Sequence, residues 1–180
     1  VFNKEHVPPR RIAAHGDAGV NYTYSHKTML AAEWTPQLRQ LKEYVEQTTG
    51  YEYNFVLINR YADGRDTIGE HQDNESELDP DVPIASLTLG ATRDFVLRHR
   101  DVRRKCGAHS KLNPHTLPLP SGLLLTMEAP TNKCWYHSVP RRSLARCPGP
   151  RINLTFRRIR PGRHPGARPA KRVDRADTKS

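Results

Sequence analysis

Between Thr35 and Gly50 the apolar residues Leu38, Leu41 and Val45 recur at helical spacing. Thr35 is a natural cap, Pro36 suits the first helical position and Gly50 suits the stop, so one helix is predicted between them. After Gly50 the period falls to two. Short β-branched or aromatic runs predict strands over Tyr53–Tyr61, Ile84–Leu89, Arg93–Arg100, Gly122–Met127, Trp135–Val139 and Ile152–Ile159. Glycine, proline and charged turns separate them, and no internal repeat is evident. One helix followed by a string of strands predicts an α+β domain with a β-sandwich or barrel body.

Two strands carry polar residues where a plain strand would not need them. In Arg151–Arg157, Ile152, Leu154 and Phe156 share one face, while Arg151, Asn153, Thr155 and Arg157 share the other. An ordinary surface strand would show the same alternation. A barrel strand lining a pocket for a dianionic small molecule would also show it, because guanidinium grips carboxylate bidentately. The strand spans about 20 Å, so two such arginines must lean toward one another. In the run from Asn54 to Tyr61, Phe55 and Leu57 form a stripe that ends in Asn59 and Tyr61, a candidate second wall.

Composition narrows the partners. The 180 residues suit one domain with a tail, and 36% hydrophobic content suffices for one core. Lys plus Arg number 29 against 19 Asp plus Glu, a net charge of +10 that points to a polyanion, with nucleic acid the leading candidate. From Pro161 onward the chain is Gly, Pro, Arg and Lys, read as a disordered tail carrying +4 of that charge. Residues 100–120, with Arg103, Arg104, Lys105 and three prolines, read as a basic loop. No apolar run approaches the ~18 residues of a membrane span, so no membrane partner is expected. Three irregularly spaced cysteines make no disulfide framework and suit a reducing compartment. The chain opens at Val1 without methionine or a secretory signal and reads as a fragment of a longer one.

His-x-Asp places two metal-ligating side chains on one face of an extended segment, and it occurs at His15/Asp17, His71/Asp73 and His99/Asp101. The first sits in a glycine-punctuated turn. His99-Arg100-Asp101 mimics a kinase triplet, but the phosphate loop and the Asp-Phe-Gly a kinase needs are missing. Cys106-x-x-His109 and Cys134-x-x-His137 form a rival set that would make this a non-catalytic basic module with structural zinc.

These residues together, in this order, resemble the AlkB family of iron(II)- and 2-oxoglutarate-dependent dioxygenases, most closely its duplex-DNA-preferring branch. The resemblance rests on Asn54–Tyr61, Gly69–Asp73, Ala85–Leu87, Trp135–Ser138 and Arg151–Arg157. It implies a double-stranded β-helix (jelly-roll) core over residues 1–160, with a flanking N-terminal helix and nucleotide-recognition hairpins, followed by the tail at 161–180. His71, Asp73 and His137 would hold iron(II), leaving positions for 2-oxoglutarate and dioxygen. Asn59, Tyr61, Arg151, Asn153, Thr155 and Arg157 would hold the co-substrate.

The implied activity is oxidative demethylation of 1-methyladenine and 3-methylcytosine in DNA by base flipping, with formaldehyde, succinate and CO2 released. The resemblance places Phe2 as an apolar wedge, Tyr22 and Tyr24 stacking on the flipped base, and Glu75 at the base edge. Arg10, Arg98, Arg103, Arg104 and Lys105 would contact the strands. A nuclear monomer acting on duplex DNA is expected. Single-stranded DNA or RNA is the alternative substrate.

Overall fold

The computed structural model describes residues 10–24, 27–105, 108–109 and 111–160, the side chains of 23–29 excepted. The predicted helix is α1 (Pro36–Thr49): the Thr35 hydroxyl accepts from the Leu38 N–H at 3.3 Å, and Gly50 ends it at φ 76°, its N–H donating to the Glu46 carbonyl. Leu38 and Val45 point inward, each side chain worth about 1.5–3 kcal/mol when buried.

Five strands form one antiparallel sheet in the order β1 (Arg11–Gly16), β4 (Phe55–Tyr61), β11 (Arg151–Arg157), β6 (Ile84–Gly90), β9 (Leu124–Met127). Four form a second, in the order β5 (Ile68–His71), β10 (Trp135–Val139), β7 (Arg93–His99), β8 (His115–Leu119). A hairpin of β2 (Asn21–Tyr24) and β3 (Lys27–Leu30) stands apart, as the resemblance implies. Two short helices complete the described residues, α2 (Arg100–Arg104) and α3 (Ala129–Cys134).

β4 explains how the layers form. Its run Phe55-Val56-Leu57-Ile58 is apolar on both faces because both are covered. Val56 joins Leu38, Val45, Ala85, Leu87, Leu154 and Phe156 beneath α1, whereas Phe55 and Leu57 join Ala14, Tyr22 and Ile159 on the other side. In β11, Leu154 and Phe156 take the helix side, so Arg151, Asn153, Thr155 and Arg157 must face the space between the sheets.

The basic loop expected over 100–120 is a correction. Arg100–Arg104 is helical, capped by the His99 ring accepting from the Asp101 N–H at 3.3 Å, and His115–Leu119 pairs with β7 as an edge strand. The exposed face of β8 hides the apolar alternation that would reveal a strand, and Pro118 is tolerated because an edge leaves N–H groups unpaired. The tail at 161–180, and hence the domain boundary at 160, lies outside the described residues.

Gly90 closes β6 at φ 90°, where a Cβ would sit 2.4 Å from the Pro150 carbonyl oxygen. Left-handed strain alone costs a non-glycine residue about 1–3 kcal/mol. Gly90→Ala is therefore expected to lower the unfolding free energy by at least that much in urea titration. An unchanged midpoint would show that the β6–β11 connection yields freely.

Candidate metal and co-substrate centre

His71 ends β5 and pairs directly with His137 of β10, bringing the ring centroids to 4.1 Å. Asp73 follows two residues later, and one ligand atom from each of His71, Asp73 and His137 lies within 4.8 Å of the others. The His71 Nδ1 lies 2.9 Å from the Gly69 carbonyl, which can only accept, so Nδ1 carries the proton and Nε2 is left as the ligand atom. Two histidines and a carboxylate on one side of a site suit a divalent iron with open positions.

Asp73 is 3% exposed, and its Oδ2 accepts from Arg157 Nη2 at 2.7 Å while Oδ1 is buried without a partner. Burial pushes the Asp73 carboxyl up, but the Arg157 charge and the two imidazoles more than reverse it, to about 2. Burial drives His137 down to about 4 against the pull of Asp73. Both are unprotonated at neutral pH, the form a metal requires. For Arg157, burial pulls the guanidinium down and Asp73 outweighs it, leaving its pKa raised.

The pocket beside these ligands is lined from both sheets, by Asn59 and Tyr61 of β4, Asn153, Thr155 and Arg157 of β11, Ser86 of β6 and Phe95 of β7. Hydrogen bonds run along the polar face of β11. Arg151 Nη2 donates to Asn153 Oδ1 and, at 2.9 Å, to Thr88 Oγ1, and Asn153 Nδ2 donates to Thr155 Oγ1 at 2.9 Å. Arg151 also lies 5.3 Å from the Tyr61 ring. Burial lowers the Arg151 guanidinium, Tyr61 opposing it, and burial raises Tyr61.

Nε and Nη1 of both Arg151 and Arg157 are buried without partners. The unpartnered Arg157 donors in the pocket fit an anion, with Arg151 outside its lining and joined to it through Asn153, and the unpartnered Asp73 Oδ1 beside two imidazoles fits a cation. The donor set therefore fits iron(II) and 2-oxoglutarate together.

Arg10, expected among the strand contacts, lines this pocket: its Nε donates to Asn59 Oδ1 at 2.7 Å. Tyr22, expected to stack on the flipped base, is placed in the interior. Its ring is fully buried against Phe55, centroids 5.0 Å apart, with the Arg157 guanidinium over it, so what it offers is a hydroxyl without a partner. Burial raises the Tyr22 hydroxyl well above its usual range and raises the Glu75 carboxyl too. Arg98 is paired with Glu70 at 2.8 Å. Arg103 lies over the Tyr136 ring, and Arg104 and Lys105 are exposed at the end of α2. Phe2, the Tyr24 side chain and Cys106 lie outside the described residues. His137 faces Asp73, so the zinc set loses a member to the triad.

Sequence reasoning missed Ser86 and Thr88, although their alternation with Leu87 and Leu89 on β6 is the available signal. It also missed Arg93, 2% exposed, which holds the loop after Tyr61 through the Asp63, Gly64 and Asp66 carbonyls and reaches Pro140.

Sequence comparison agrees with this geometry. Residues 2–157 match the 2OG-Fe(II) oxygenase superfamily, and the chain belongs to it. It is 50% identical over 159 residues to the human DNA oxidative demethylase ALKBH2, covering 88% of this chain and 60% of that protein. It is 39% identical over 154 residues to the human alpha-ketoglutarate-dependent dioxygenase alkB homolog 3, covering 85% and 52%. The chain thus spans roughly half to two-thirds of the length of these relatives. The solved structure of OsALKBH1 shares the fold, with a TM-score of 0.55 at 18% identity over 83% of this chain and 78% of that one.

The buried pair makes a pH prediction. The folded Asp73 value of about 2 lies below the ordinary 3.8, so its stabilisation is complete above about pH 4 and is lost as pH falls toward 2. Arg157→Met leaves the carboxylate buried and unpaired, at a cost of about 3–5 kcal/mol at neutral pH. Urea unfolding of metal-free protein should show that gap narrow on acidification, because the variant's carboxyl protonates readily. A gap independent of pH would refute the ion pair.

Proposed function

We propose that this chain is an iron(II)- and 2-oxoglutarate-dependent dioxygenase that oxidatively demethylates N-alkylated bases, 1-methyladenine and 3-methylcytosine, in DNA. Duplex DNA is the assigned substrate, and the enzyme acts as a monomer in the nucleus. The observation that carries the proposal is the His71/Asp73/His137 cluster beside a pocket whose buried arginine, Arg157, is hydrogen-bonded to the Asp73 carboxylate. The identity to proteins named DNA oxidative demethylase supports the substrate class.

Iron and 2-oxoglutarate, when bound, supply the oxidising power that hydroxylates the N-methyl carbon; that carbon then leaves as formaldehyde, with succinate and CO2 as co-products. The chain's own residues position the partners. His71, Asp73 and His137 would hold the metal, while Arg151 and Arg157, with Asn59, Tyr61, Asn153 and Thr155, would hold the carboxylates of the co-substrate. The Tyr22 hydroxyl and Glu75, both carrying a buried oxygen without a partner, are assigned to the base edge. Arg103, Arg104 and Lys105 are assigned to phosphates, and Phe2 and Tyr24 to the gap and the flipped base.

The test is mass spectrometry of an oligonucleotide carrying one 1-methyladenine, in duplex and single-stranded form, with and without 2-oxoglutarate. Demethylation dependent on 2-oxoglutarate and faster on duplex is expected, and His71→Ala should abolish it while leaving DNA binding. Phe2→Ala should slow duplex repair more than single-strand repair. Succinate without demethylation would move the substrate elsewhere; no succinate would sink the enzyme assignment.

Arg10 is assigned to the co-substrate rather than to DNA. Its bond occupies Asn59 Oδ1, which leaves the Asn59 Nδ2 amide as the side-chain donor free for a carboxylate in the pocket both residues line. Arg10→Ala is expected to raise KM for 2-oxoglutarate roughly tenfold, the loss of one charged hydrogen bond, with KM for DNA little changed. The reverse pattern would return Arg10 to the DNA contacts.

A further inference from the structure

The three metal-ligating side chains come from two segments distant in the chain: the turn His71-Gln72-Asp73 after β5, and His137 in β10. Backbone pairing joins His71 to His137, but β5 has ended before Asp73 is reached. Something else must fix residue 73.

Gln72 lies between the two ligands, and its side chain reaches the segment that leads into β10: Nε2 donates to the carbonyl oxygens of Asn132 at 3.0 Å and Lys133 at 2.8 Å. Those carbonyls belong to the last turn of α3, where no intrahelical donor is available to them. Asn132 returns the contact. Its Oδ1 accepts from the Asp73 backbone N–H at 3.1 Å, and its Nδ2 donates to the Asp73 carbonyl. One side-chain amide thus satisfies both backbone polar groups of residue 73, as a neighbouring strand would.

We infer that Gln72 and Asn132 form a reciprocal clamp that sets the Asp73 carboxylate against His137, making both positioning residues for the metal; this rests on reading His71, Asp73 and His137 as its ligands. The clamp holds the backbone of residue 73, and Arg157 holds Oδ2. Oδ1 is then the single carboxylate oxygen left for the ion, so Asp73 is set to bind through one oxygen. Neither Gln72 nor Asn132 is among the residues lining the co-substrate pocket. Their loss acts on the metal first. Groups that orient a metal's ligands typically contribute 10–100-fold to affinity.

The test uses metal-free protein and needs no turnover. Ni(II) affinity is measured by calorimetry and Co(II) geometry by visible absorption, for the natural chain, Asn132→Leu, Gln72→Leu and His71→Ala, with the unfolding midpoint of each metal-free form alongside. Asn132→Leu and Gln72→Leu are expected to weaken Ni(II) binding about tenfold or more and to shift the Co(II) bands, with Gln72→Leu keeping its metal-free midpoint. Gln72 is only partly buried, so that variant keeps the test open should Asn132→Leu fail to fold. Unchanged affinity and bands in a folded clamp variant overturn the clamp while the metal site stands. Equal affinity for the natural chain and His71→Ala overturns the metal site itself, and the clamp with it.

Discussion

Everything at this centre depends on one buried ion pair, Arg157 to Asp73, both side chains under 5% exposed. A guanidinium and a carboxylate taken out of water each lose hydration worth several kcal/mol, which only close geometry and further hydrogen bonds offset. The carboxylate has one oxygen satisfied and the guanidinium one nitrogen, leaving Asp73 Oδ1 and Arg157 Nε and Nη1 without partners. The pair is therefore half-completed. A cation at Oδ1 and an anion at the free guanidinium edge would complete it, and each would lower the cost of binding the other. The same residue that lines the pocket thus also fixes the charge state of the Asp73 carboxylate.

The sheets make that pair possible. β11 lies at the centre of the five-stranded sheet between β4 and β6, so a charged residue on its inner face has no route to water. Arg157 ends that strand opposite Phe55, beside the buried Tyr22 ring. The second sheet brings His71 and His137 together by direct strand pairing. Asp73 belongs to neither sheet, and it is reached from one by Arg157 and from the α3 segment by Asn132. The centre is a junction of two stiff layers through one loop residue, so the hydrogen bonds to that residue matter more than their number suggests.

Local chemistry was legible in the sequence. The cap, proline and glycine of α1 and the alternation of β11 each follow from short-range rules, and the structure shows both. The His-x-Asp pair is ambiguous among three copies on spacing alone, and only the family resemblance selects His71 and Asp73. What escaped depends on partners distant in the chain. Arg10 meets Asn59 across 49 positions and Asn132 meets Asp73 across 59, with no periodicity to announce either. α3 has six residues and buries none of them, and β8 is exposed along most of its length, so neither writes an apolar pattern. The burial of Tyr22 against Phe55 also could not be read from residue type.

The charge surplus also changes meaning once placed. Arg93, Arg151 and Arg157 are each 3% exposed or less, held by carbonyls, hydroxyls or a carboxylate inside the protein. Arg98 and Arg142 are engaged by Glu70 and Asp94. Among the described residues, Arg100, Arg103, Arg104 and Lys105 of the α2 segment are exposed without an ion pair and so remain available to a polyanion. Contacts of that kind give affinity and orientation without reading sequence. An enzyme proposed to act on damage wherever it falls needs that division. Exposed arginines of this kind are indifferent to sequence, so any discrimination would fall to the interior, where the Tyr22 hydroxyl and Glu75 Oε2 are buried without partners.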